Sequence, residues 1–243
     1  MTSTDEMRSL AIRAHAHQQR NAGRVPYSFH VLSVAAIVKE LLDGGGECSD
    51  PDLAHDIVLA AMGHDLYEDT DVTRADIKEK FGARVDALIY GMTNPNGDDD
   101  RAAYEREMGH ALEEVRLIKL ADLIDNVLSC AYGIHDLGRR WINNTFLPIA
   151  EGMAKTVRAT NYSRYPQTSA RAIELLDFAL ARLRSNLAIF VALPAQGQIV
   201  PMPNVTHPPP ATLTLDIDAQ EERERREGWL YKGMRSFKDN GNE

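Results

Sequence analysis

Apolar positions three and four residues apart recur through most of the first 190 residues, and that period predicts helices. In "TDEMRSLAIRAHAHQQR", Met7, Leu10, Ala11 and Ala14 form one core-facing stripe that runs on until Gly23 and Pro26 break it. "HVLSVAAIVKELLDG" predicts a second helix ending at Gly44 to Gly46. A third opens with Asp50 as N-cap and Pro51 at its first position, and the pattern carries it through "DLAHDIVLAAMGHDLYED". "TRADIKEKFG", stopped by Gly82, and "ARVDALIYGM" are shorter helices, and "TNPNGDDD" reads as a loop. "RAAYEREMGHALEE", "VRLIKLADLIDNVLSCAYG" and two amphipathic segments near residues 136–159 and 167–190 complete the series. No sustained alternation marks a strand before residue 190. The expectation is an all-α bundle over residues 1–190.

Beyond it the pattern changes. "LPAQGQIVPMPNVTHPPPATLTLDID" is proline-rich and without helical period, so residues 191–243 are expected to be an irregular C-terminal extension. "EERERREGWLYKGMRSF" within it predicts a short charged arm anchored by Trp229, Leu230 and Tyr231. Composition is that of a globular protein, 44% hydrophobic and 26% charged in 243 residues. The net charge of -9 argues against nucleic-acid or anionic-membrane partners, which need a basic surface. Cys48 and Cys130 form neither a CxxC pair nor a disulfide framework, which fits a reducing cytoplasm. No apolar run is long enough to span a membrane, and "MTSTDEMRSL" has no secretory pattern. The pattern does not disclose an oligomeric state.

Against this background "MGHDLYEDT" is unusual, because an apolar helix ends in His64, Asp65, Glu68 and Asp69. On a continuous helix His64 would lie beside Glu68 and Asp65 beside Asp69. An exposed acidic helix end with one incidental histidine is the alternative. "PYSFH" puts His30 behind a proline turn, and "VRLIKLADLIDN" sets Asp122 and Asn126 four apart on an apolar helix. An unpaired carboxylate at Asp122 would be costly to bury, and a metal removes that cost. His30, His64, Asp65 and Asp122 together make a nitrogen and oxygen donor set suited to manganese, zinc or iron. His15 and His17 lie on the first predicted helix, and His55, His110, His135 and His207 lack motif partners, so structural or surface roles are expected of them. "NGDDD" lacks the spacing of a calcium loop.

His…His-Asp…Asp on separate helices resembles the HD superfamily of metal-dependent phosphohydrolases. "RNAGRVPYSFH", "HDLYEDT", "FGARVDALIYGMT" and "KLADLIDN", in that order, resemble more narrowly the hydrolase domain of the Rel/SpoT alarmone family and its small stand-alone hydrolases. The likeness covers residues 7 to about 160. It implies an HD-type helical bundle in which His30, His64, Asp65 and Asp122 hold one divalent ion, usually Mn2+. Glu68 and Asp69 would orient or deprotonate the attacking water, and Asn126 would sit against the ribose. Ser129 stands where the family commonly has threonine, and Arg20 matches the arginine that stacks on guanine. Lys119, Arg139 and Arg140, with Arg24, are the nearest cations in sequence to meet a polyanion; plain surface cations are the alternative reading of each, and Arg20 is the one favoured as functional.

The implied reaction is hydrolysis of the 3′-pyrophosphate of guanosine tetra- or pentaphosphate, giving GDP or GTP and pyrophosphate. A divalent ion lowers the pKa of its water and offsets phosphate charge, and a neighbouring carboxylate takes the proton. Asn21 replaces a second basic residue of the family, Leu128 replaces an arginine, and Phe146 stands near an expected tyrosine. These departures touch substrate contacts and leave other HD substrates open: nucleoside monophosphates, deoxynucleotides, cyclic dinucleotides or the 2′-phosphate of NADPH. A non-catalytic nucleotide sensor is the reading from another class. The family's bifunctional members carry a synthetase domain after the hydrolase; residues 191–243 are too few for one, so hydrolysis alone is expected.

Overall fold

The structure, a computed structural model, describes residues 2–20, 25–94 and 100–192, with side chains to residue 189. The proline-rich stretch and charged arm expected after residue 192, together with Asn21 and Arg24, lie outside the described residues. Twelve α-helices are described: α1 Ser3–Ala14, α2 Ser28–Gly45, α3 Pro51–Met62, α4 Leu66–Asp69, α5 Arg74–Phe81 and α6 Ala83–Met92, then α7 Arg101–His110, α8 Glu113–Tyr132, α9 Ile134–Leu137, α10 Arg139–Trp141, α11 Leu147–Arg158 and α12 Pro166–Ala192. Among the described residues the extended pairing is one isolated antiparallel bridge, Gln19 with Pro26. The all-α expectation holds there.

Helix α8 is the axis of the bundle. Its residues are buried on nearly every side, Val115 to Ala131 included, and α12, α2 and α6 pack around it. One apolar core runs from Met7 to Leu187. The predicted caps are in place: Asp50 accepts from the backbone N–H of Asp52 and Leu53 at 3.0 and 3.2 Å, ahead of Pro51. Gly46 closes α2 at φ 67°, a left-handed position that favours glycine. Glu47, just beyond, caps α12 by accepting from the backbone N–H of Gln167 and Thr168 at 2.7 and 2.9 Å.

Three boundaries differ from the periodicity. Helix α1 stops at Ala14 rather than continuing to Arg20. The chain turns there and forms a small hairpin, Arg20 N–H bonding to the Val25 carbonyl at 2.8 Å and Tyr27 N–H to that of Gln18 at 3.0 Å. A continued helix could not do this, and the hairpin takes Arg20 inside, where it is 7% exposed. The segment over 136–159 carries a π-turn, Ile142–Phe146, immediately before Pro148. Proline has no N–H for the α-helical bond to residue 144 and its ring crowds that carbonyl, so the helix widens. The third difference, at Gly63, shapes the site.

Candidate metal centre

The helix expected to run through His64 and Glu68 is broken. Helix α3 ends at Met62, Gly63 N–H bonds back to both the Leu59 and Ala60 carbonyls at 3.1 Å, and α4 begins only at Leu66. The pairing of His64 with Glu68 on one continuous helix is therefore corrected. Neighbours on a helix diverge by about 100°, whereas the break lets His64 and Asp65 face α8 together. Gly63 sits tightly there: a Cβ on it would lie 2.7 Å from Ile89 Cδ1.

His30 enters from the first turn of α2, His64 and Asp65 from the break, and Asp122 from the middle of α8; all four are buried. His30 Nε2 is 3.5 Å from Asp65 Oδ2 and 3.3 Å from Asp122 Oδ1. His64 Nε2 is 3.1 Å from Asp65 Oδ2 and 3.8 Å from Asp122 Oδ1. Donor atoms of His30, His64 and Asp65 all fall within 4.8 Å of one another, and these groups could hold a metal ion. The outer ring nitrogens are already engaged: His64 Nδ1 lies 2.9 Å from the Ala61 carbonyl and His30 Nδ1 2.8 Å from Asp125 Oδ2. Each Nδ1 then carries the proton, and each Nε2 is left buried with no hydrogen-bond partner, turned toward two carboxylates. That donor set fits a divalent cation.

Electrostatics agree with the geometry. Burial acts to lower the His30 pKa, but Asp122, Asp125 and Asp65 outweigh it and hold it well above its ordinary value. His64 is raised too, chiefly by Asp65 against the same burial. Burial acts to raise Asp65 and Asp122, yet the two histidines, with Lys119 beside Asp122, hold both carboxyls below the usual range. The carboxylates therefore favour positive charge at the two Nε2 atoms, a proton or a metal ion alike.

The remaining predicted residues divide. Asn126 joins the cluster, its Nδ2 donating to Asp122 Oδ1 at 2.6 Å. Lys119 donates to Asp122 Oδ2 at 2.8 Å, so its charge is already matched inside the site. Glu68 and Asp69 stand on α4 directly after Asp65, half-buried, where Glu68 accepts from the Asn94 backbone N–H and its charge reaches Lys119. Arg20 is ion-paired with Asp125 and donates to Asn126 Oδ1 at 3.0 Å. Ser129 lies one turn further along α8, half-buried, and Arg139 and Arg140 belong to α10. Phe146 is buried in the core and stacks with Trp141, and Asp100 of the acidic loop caps α7.

A protein-family model described as "HD domain" matches residues 8–132. This chain belongs to the HD domain family. The guanosine-3′,5′-bis(diphosphate) 3′-pyrophosphohydrolase of Aquifex aeolicus is 37% identical over 124 residues, covering 49% of this chain and 16% of that protein. MESH1 of Danio rerio, also a guanosine-3′,5′-bis(diphosphate) 3′-pyrophosphohydrolase, is 30% identical over 136 residues, 54% of this chain and 67% of that one. The match thus spans about a sixth of the bacterial relative and two thirds of the zebrafish one. Among solved structures, that of a metazoan ortholog of SpoT that hydrolyzes ppGpp shares the fold, with a TM-score of 0.58 and 23% identity over 75% of this chain and 96% of that one.

Two residues of this HD domain that bear on the site escaped the sequence reading. Tyr27 is buried and its hydroxyl donates to Asp65 Oδ2 at 2.7 Å; its place three residues before His30 in "PYSFH" was the available signal. Asp125 is the other. A histidine ligand ordinarily has its second nitrogen held by a carboxylate or carbonyl, and Asp125, beside Asn126, was a nearby acid to consider. His15, given a mainly structural role, is buried behind Tyr27 with ring centroids 5.1 Å apart. No described helix is long and apolar enough to cross a membrane.

Proposed function

We propose that this HD domain hydrolyses the 3′-pyrophosphate of guanosine tetra- or pentaphosphate, with His30, His64, Asp65 and Asp122 holding one divalent ion, Mn2+ in the first instance. The observation that carries the reading is the pair of buried, unpartnered imidazole Nε2 atoms turned toward two ionised carboxylates. Its narrower substrate rests on the likeness to the Aquifex and zebrafish pyrophosphohydrolases.

A bound ion would supply positive charge beside the phosphate under attack and make a nearby water more acidic. The chain's own groups do the rest. Glu68 and Asp69, on the short helix that follows the ligands, orient that water and accept its proton. Water attacks the phosphorus attached to the ribose 3′ oxygen, the P–O3′ bond breaks, the proton taken by the carboxylate passes to the 3′ oxygen, and GDP or GTP and pyrophosphate leave. Asn126 and Ser129, on α8, would meet the ribose, while Arg20 borders the site from the first turn. Lys119 contributes indirectly, keeping Asp122 ionised and fixed. Arg139 and Arg140, on α10, are further cations that would meet the polyphosphate. The work is cytoplasmic, on a small nucleotide.

Incubating the Mn2+-loaded chain with ppGpp, with NADPH and with GMP, and separating the products by anion exchange, tests this. Pyrophosphate and GDP from ppGpp are expected. Orthophosphate from NADPH or GMP, with ppGpp untouched, would replace the substrate; ppGpp bound but recovered whole would replace enzyme with sensor.

A further inference from the structure

We infer that Asp125 is a positioning residue: through one carboxylate oxygen it sets the orientation of His30 and anchors Arg20, tying the metal centre to the first-turn arginine. The inference rests on the metal-dependent reading above.

Asp125 lies on α8 three residues after Asp122 and directly before Asn126. Its Oδ2 is 2.8 Å from His30 Nδ1 and also accepts from Arg20 Nη1. Arg20 Nη2 donates to Asn126 Oδ1 at 3.0 Å, Asn126 Nδ2 donates to Asp122 Oδ1 at 2.6 Å, and that oxygen is 3.3 Å from His30 Nε2. The contacts close into a ring, His30–Asp125–Arg20–Asn126–Asp122, in which His30 and Asp122 would hold the metal.

The two histidines are held differently. His64 is oriented by a backbone carbonyl, that of Ala61, which survives any side-chain substitution. His30 depends on a side chain. An imidazole bonded at Nδ1 to a carboxylate keeps its proton there, so its Nε2 lone pair stays available and its ring cannot swing. The same oxygen neutralises Arg20, which is 7% exposed and would be costly to leave buried without a counter-charge. Arg20 thus reaches the site from the hairpin through its contacts with Asp125 and Asn126.

The full-length chain, Asp125→Ala and Asp125→Asn are compared by electron paramagnetic resonance of free Mn2+ during titration, and by KM for ppGpp at saturating Mn2+. Asp125→Ala should weaken Mn2+ binding by about 10- to 100-fold and raise KM. Asp125→Asn keeps an oxygen for the His30 N–H, so Mn2+ affinity should recover to within about threefold of wild type. Without the charge the ion pair to Arg20 is lost, so the KM of Asp125→Asn should stay raised. A residue needed only for folding would not separate the two readouts. Asp125→Ala binding Mn2+ within about twofold of wild type, or Asp125→Asn as weak as Asp125→Ala, overturns the inference. Should Asp125→Ala fail to fold by circular dichroism, Asp125→Asn decides alone: near-native Mn2+ affinity with raised KM supports it, and any other pattern sinks it. If wild type binds Mn2+ but leaves ppGpp whole, the substrate reading fails and the Mn2+ comparison still decides the role of Asp125. If wild type binds no Mn2+, both fail.

Discussion

Replacing Asp122 with alanine should damage the metal-free protein and remove its response to metal. Four groups lean on this carboxylate: Lys119 at 2.8 Å and Asn126 at 2.6 Å by hydrogen bonds, and the His30 and His64 Nε2 atoms at 3.3 and 3.8 Å. Breaking a buried ion pair by deleting one partner costs roughly 3–5 kcal/mol. The Lys119 side chain keeps 15% of its exposure, so water softens the loss and the low end, about 3 kcal/mol, is the better figure. At about 2–4 °C per kcal/mol for a domain of this size, the melting temperature in EDTA should fall by roughly 6–12 °C. Wild type with Mn2+ at about a hundred times its Kd should gain about 2.7 kcal/mol, roughly 5–11 °C on the same scale, and Asp122→Ala should gain almost nothing. Differential scanning calorimetry with EDTA and with Mn2+ reads both effects. A melting temperature in EDTA within about 2 °C of wild type, or an undiminished Mn2+ shift in the variant, would refute the reasoning.

Other perturbations separate the parts of the account. Glu68→Gln should lower kcat by about 10²- to 10⁴-fold while the Mn2+ affinity read by titration holds; equal loss of both would move Glu68 among the ligands. Asp86 is held below its ordinary pKa by the Arg74 guanidinium, with both contacts at 2.8 Å, and by Tyr67. Because the folded carboxyl is the more acidic one, the stability it contributes is present above pH 3.8 and is lost as pH falls through the depressed value. Acid unfolding of Asp86→Asn should therefore be shallower below that pH, and curves that superimpose after scaling would contradict it. A Cβ at Gly45 would fall 2.0 Å from Thr168 Oγ1, which donates to Glu47 Oε2 at 2.8 Å, so Gly45→Ala should cost about 1–3 kcal/mol in urea unfolding.

The sequence pattern carried the helices and their caps because those depend on local spacing and backbone chemistry: Asp50 before Pro51, the glycines after Asp43, and the stripe on the central helix. It also marked the four donor residues, since a histidine or aspartate among leucines stands out. What periodicity could not see was set by partners distant in the chain. Gly63 breaks its helix where Ile89 and Met7 pack against it, and the helix period runs through the break undisturbed. Arg20 was marked by its likeness to a family arginine, but its burial and its ion pair follow from the hairpin pairing of Gln19 with Pro26, which turns it inward. Asp125 looked like one more acid on an amphipathic helix; its meaning comes from His30, ninety-five residues earlier. Lys119 was placed near the phosphates by its charge, and the fold matches that charge to Asp122 instead.

The whole account turns on one cation seated among His30, His64, Asp65 and Asp122. Anomalous diffraction at the manganese edge from crystals grown with Mn2+ addresses it directly. A single strong peak is predicted within direct bonding distance of both imidazole Nε2 atoms and of an oxygen of each aspartate. A peak elsewhere, or none with the four side chains ordered, would contradict it.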